Sequence, residues 1–95
     1  MDDKDAYRQK LQTRLETLRA EIDKLEAKAE HVGAEAREAL RTEAKELRAK
    51  QDEARKKLEA FRKAQGDAWK DLKSGLDAAW DDLSRAVRRA ADRFG

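Results

Sequence analysis

The chain has one histidine, His31, and no cysteine. A metal centre needs several imidazole, thiolate or carboxylate ligands converging on one point. Glu35, one helical turn from His31, is not enough to make one, so no metal and no cofactor is expected. Ser74 and Ser84 are the only serines, and neither has a base at a plausible spacing. There is no glycine-rich phosphate loop and no nucleophile elbow. The 21 acidic residues read as exposed helix-face carboxylates, where nothing would raise a pKa for proton transfer. Site chemistry is therefore missing at every position where it could start, and an enzyme is not expected.

Two other patterns could serve binding. Arg55-Lys56-Lys57 with Arg62-Lys63 forms one basic cluster, and Arg85, Arg88, Arg89 and Arg93 form another. Nucleic-acid binding calls for a one-sign stripe that releases counterions from phosphate. Asp52, Glu53 and Glu59 dilute the first cluster, and a helix C-terminus accounts for the second. Nucleic acid is thus not the expected partner. Trp69 and Trp80 stand eleven residues apart, in phase with Leu72, Leu76, Leu83, Val87 and Phe94. An amphipathic helix of this kind either packs against other helices or lies in a membrane surface. The six acidic and six basic residues of this segment give no cationic excess to attract anionic lipid, so packing is the first reading and a lipid surface the alternative.

The elements that carry these residues are helices. Charged residues make up 46% of the 95, with 23 basic against 21 acidic and a net charge of +2. Alanine, glutamate, lysine, leucine and arginine at this density are the signature of long helices and coiled coils. Acid-first pairs four apart, such as Glu46 with Lys50, Asp52 with Lys56, Glu53 with Lys57 and Glu59 with Lys63, suit an exposed helix face. Apolar residues recur every three or four positions at Leu11, Leu15, Leu18, Ile22, Leu25, Ala29, Val32 and Ala36, which is a seven-residue seam. A stutter follows through Leu40 and Ala44 to Leu47, and the register resumes at Gln51, Ala54, Leu58, Phe61, Gln65 and Ala68. From Trp69 onward an eleven-residue spacing fits better.

With no proline, glycine supplies the punctuation. Gly66 before Asp67 marks a boundary, with Gly66 at the C′ position of one helix and Asp67 capping the next. Gly33 is a weaker signal, and Gly75 reads as a close-approach position inside a helix. The spacing predicts a helix over about 4–64, with a candidate break near 33, and a second over about 67–93. Asp2, Asp3 and Asp5 at the start, and the arginines at the end, suit the helix dipole. No apolar run nears the roughly 20 residues needed to cross a bilayer. Together with the acidic N-terminus and absent cysteine, this makes the cytoplasm the expected address.

The segment from Gly66 to Leu76, followed by Ala79-Trp80-Asp81-Asp82-Leu83 and the closing Arg93-Phe94, resembles a family of small bacterial coiled-coil proteins of uncharacterised function. The stretches from Ala20 to Ala29 and from Leu47 to Lys50 are similar to it as well, so the resemblance spans most of the chain. It implies an all-helical coiled coil and no activity.

These readings converge on a single all-α domain. The expected form is a helical hairpin that turns near Gly66, with residues 67–93 packed back along 38–64. An antiparallel three-helix bundle is the alternative if Gly33 also breaks. In the hairpin the seam Leu11, Leu15, Leu18, Ile22, Leu25 and Val32 is left over for a partner. That partner would be a second copy, most simply in a dimer, or another helical protein. The expected role is a non-catalytic oligomerisation or scaffold module.

Overall fold

The computed structural model describes residues 3–94; Asp2, counted above in the acidic first turn, lies outside them. Helix α1 runs Asp3–Lys28, a short 3-10 turn covers Ala29–His31, α2 runs Ala34–Lys63 and α3 runs Ala68–Phe94. No strand occurs among the described residues. The hairpin at Gly66 forms as expected, and the chain also breaks near Gly33, so α1 folds back to complete a three-helix bundle.

The two turns are built differently. At the first, Val32 is extended (φ −126°, ψ 166°) and Gly33 takes the N-cap position of α2 at φ −66°, with no side-chain cap. Any residue tolerates that φ. Arg37 secures this corner instead, donating from Nε to the Ala29 carbonyl at 3.0 Å and from Nη2 to the Val32 carbonyl at 3.4 Å. Those carbonyls are the ones a helix C-terminus leaves without intrahelical partners. The second turn does need glycine, because Gly66 has φ +59°. It is not the C′ residue: α2 ends at Lys63, extended Ala64 follows as C-cap, and Gly66 sits in a reverse turn in which the Ala68 amide donates to the Gln65 carbonyl at 3.2 Å. Lys4 of α1 caps this corner, its Nζ lying 2.5 Å from the Ala64 carbonyl oxygen.

The seam residues Leu11, Leu15, Leu18, Ile22 and Leu25 are buried inside this one chain, against α2 and α3. Val32, at the corner, is half-buried. The expectation that the seam stands free for a partner is thus corrected: with the break at Gly33, α1 reaches the α2–α3 groove of its own chain. From α2 the core takes Leu40, Ala44, Leu47, Gln51, Ala54 and Phe61, the stutter and resumed register read from the sequence. Gln65 falls in the second turn and is exposed.

In α3 the core takes Leu76, Leu83, Ala86, Val87 and Ala90 fully, with Trp69, Trp80, Ala91 and Phe94 packed around them. Trp69, Leu76, Trp80, Leu83, Val87, Ala90 and Phe94 keep to the seven-residue register of the other helices. The eleven-residue pattern included Leu72, which is 39% exposed and outside the core. Gly75 is exposed too, and a Cβ there would meet nothing within 4 Å, so no close approach occurs at it.

The bundle measures 52 × 19 × 17 Å. With three alternating helices, Asp3 and Phe94 stand at opposite ends: Lys4 and Tyr7 meet the α2–α3 corner, while Phe94 packs on the cluster that holds Leu25 and Ala29.

Candidate interaction groove

Among the described residues no group of three or more metal-ligating side chains gathers. His31 and Glu35 are exposed at the first corner, Ser74 is exposed and Ser84 is half-buried. The candidate sites are therefore surfaces, and the core that shapes them comes first.

At the end where α1 begins, Tyr7, Phe61 and Trp69 form an aromatic stack across all three helices. Phe61 is fully buried, its ring 5.0 Å from Tyr7 and 5.8 Å from Trp69, the latter edge-on. The Tyr7 hydroxyl donates to the Asp77 carboxylate and lies 3.3 Å from the Lys73 carbonyl oxygen. Burial, reinforced by the hydrogen bond and charge of Asp77, pushes the Tyr7 phenol well above its usual range. Trp80 sits deeper, under the Arg14 guanidinium at 4.6 Å from its centroid. Its indole N–H is buried and has no partner among the described residues, so it does not reach the wet edge that a narrow interface would offer. The α3 residues picked out from the sequence thus pack this core from Trp69 to Phe94, apart from Leu72.

Some charged residues on the outside tie one helix to another. Arg48 of α2 reaches Asp23 at 2.7 Å and Glu26 at 2.6 Å on α1. Lys50 reaches Asp82 of α3 at 2.7 Å, which holds that carboxyl below its usual range. Of the four acid-first pairs expected within a helix, Glu59 with Lys63 forms at 3.8 Å. Lys50 turns to α3 instead. Buried Gln51 donates from Nε2 to the Leu15 carbonyl at 3.2 Å, fixing the register of α2 on α1 as a polar seam residue can.

A groove of about 740 Å³ lies on the α1–α2 side. It runs alongside α1 from Arg8 to Arg19, about three helical turns. Leu15, Leu58 and Gln51 form its floor. Arg8, Arg19, Arg55, Lys56 and Arg62 stand on its walls with Glu16, Asp52 and Glu59, an excess of two positive charges. Arg62 is neutralised locally: its Nη2 lies 2.5 Å from Glu59, and that hydrogen bond lowers the Glu59 pKa. Arg19, Arg55 and Lys56 make no ion pair among the described residues, and Arg8 donates only to the neutral Gln12 amide at 3.1 Å. The first basic cluster of the sequence therefore supplies one wall of a cleft whose base is partly apolar. The second does not gather around a cleft: Arg85 pairs with Asp81 at 3.6 Å and Arg93 lies over Phe94.

Sequence reasoning missed Arg8, Gln12 and Arg19 as wall residues. They lie on α1 positions flanking the seam, and only the placement of α2 reveals which flank faces outward beside Arg55. Tyr7 was missed too, although it continues the seam one step back from Leu11, a signal that could have found it. Lys4, Arg37 and Arg48 act on backbone ends and on other helices, and no local pattern marks them. Compared with protein families, curated proteins and solved structures, the chain matches none.

Proposed function

We propose that this chain is a non-catalytic protein-interaction module that receives an acidic helical segment in the α1–α2 groove. The observation that carries the reading is the groove itself. Its floor presents half-buried Leu58, with Leu15 almost covered beside it, beneath cations, four of which have no carboxylate partner among the described residues. A helix laid between two others is a common form of peptide recognition, with apolar anchors below and charges at the rim. Unpaired rim cations favour an anionic partner and speed its encounter.

The other two surfaces considered from the sequence support less. Leu11, Leu15, Leu18, Ile22 and Leu25 already bury themselves in the bundle, so side-by-side oligomerisation through them would displace α2 or α3. Lipid binding through α3 would expose Leu76 and Leu83, both at 0% exposure. No helix among the described residues is long and apolar enough to cross a membrane.

The test uses two synthetic helical peptides about three to four turns long, with the same leucine stripe and either glutamate or lysine on the flanks. The glutamate peptide should shift backbone amide resonances of α1 residues 8–19 and α2 residues 51–62. The lysine peptide should not, and Arg55→Glu with Lys56→Glu should abolish the shifts. Equal binding of both peptides, or shifts centred elsewhere, would refute the proposal.

A further inference from the structure

The first corner has the construction of an exchange hinge, and we infer that two copies of this chain swap α1. Only Val32 and Gly33 separate the helical turn ending at His31 from α2. Gly33 already has a helical φ of −66°, so straightening requires rotation about ψ there, plus re-setting of extended Val32. No side chain crowds the hinge: His31, Gly33 and Ala34 are exposed, and a Cβ at Gly33 would meet nothing within 4 Å. Straightened, residues 3–63 make one helix of 61 residues. That is the uninterrupted helix the apolar seam describes, since Ala29, Val32, Ala36 and Leu40 continue its three- and four-residue spacing.

An opened chain cannot cover its own α2–α3 groove, but the α1 of a second opened chain can. Every contact of α1 then re-forms between chains: Leu15 with Gln51, Asp23 and Glu26 with Arg48, Tyr7 with Asp77. Closed and exchanged forms share one core and differ only at the hinge, which is the condition under which domain swapping is inexpensive. One device opposes it. Arg37 clasps the Ala29 and Val32 carbonyls, and this clasp belongs to the closed form alone. In a continuous helix those carbonyls accept the amides of Gly33 and Ala36 instead. Half-buried Val32 would gain cover where the two long helices cross.

Three single variants test the exchange by sedimentation equilibrium over a wide concentration range. Gly33→Ala favours the continuous helix about fivefold per hinge, so the dimer dissociation constant should fall roughly 25-fold for the two hinges. Arg37→Ala removes the clasp and should shift the equilibrium the same way. Gly33→Pro fits the closed corner, where φ is −66° and the preceding residue is extended, and it breaks a continuous helix. That variant should stay monomeric at every concentration while keeping full helicity by circular dichroism. Gly33→Ala and Arg37→Ala remaining as monomeric as the parent chain would overturn the inference. So would a folded Gly33→Pro chain that dimerises as well as the parent, because side-by-side association does not need the hinge.

Discussion

Gly66 and Gly75 lie nine residues apart, and replacing each with alanine should move stability in opposite directions. Gly66 holds φ +59° in the α2–α3 turn. A Cβ in that region crowds the following carbonyl, at about 1–2 kcal/mol. The stiffer unfolded chain returns part of this, roughly 0.4–1 kcal/mol, leaving Gly66→Ala destabilised by about 1 kcal/mol. Gly75 lies within α3, exposed, with nothing within 4 Å of where an alanine methyl group would stand. There the helix propensity difference acts unopposed, and Gly75→Ala should stabilise by about 0.8–1.0 kcal/mol. The variants should thus differ by about 2 kcal/mol. For a domain of this size that separates their Tm values by roughly 8–16 °C. Urea unfolding followed by circular dichroism gives the free energies, and an unchanged m-value would show that the unfolded state exposes the same surface. If both variants shift in the same direction, or differ by less than about 0.5 kcal/mol, the account of these two positions is wrong.

Phe61→Ala removes the centre of the aromatic stack from a site with 0% exposure and should cost about 3–5 kcal/mol in urea unfolding. Against a total near 5–14 kcal/mol for a chain this long, much of the cooperative transition would move to low denaturant. Tyr7 should make stability sensitive to alkali. Its folded-state pKa is raised, so the folded chain holds the phenolic proton more tightly; its contribution is intact below the ordinary value of about 10 and is lost as pH rises beyond it. The difference in unfolding free energy between the parent and Tyr7→Phe should therefore shrink above that pH, and a constant difference would remove the Asp77 hydrogen bond from the explanation.

The helices and most of the core were legible because a repeating apolar position is a local signal. Leu11 through Leu25, and Leu47 through Phe61, appear in the core at the positions their spacing assigns. The break at Gly33 was only half legible. A glycine with no capping side chain is compatible with a continuous helix, and the Arg37 clasp that favours the corner acts across eight residues. Leu72 misled because a leucine three residues after Trp69 completes an eleven-residue pattern by coincidence. The heptad position beside it belongs to Lys73, whose ammonium lies over the Tyr7 ring at 5.2 Å, and polarity there hid the register. The groove was the least legible part. A basic cluster reads alike on any exposed face, and only the pairing of α1 with α2 sets Arg55 and Lys56 above Leu15 and Leu58.

An odd number of helices places Asp3 and Phe94 at opposite ends of a rod 52 Å long. Tension applied through those two points would run along the helix axes. The seam contacts would then be loaded together, in shear, instead of peeling one layer at a time as in a two-helix hairpin held at its open end. Sequences fused to either end would be held apart by roughly the length of α3, about 40 Å at 1.5 Å per residue, with the cationic groove displayed on the side of the rod.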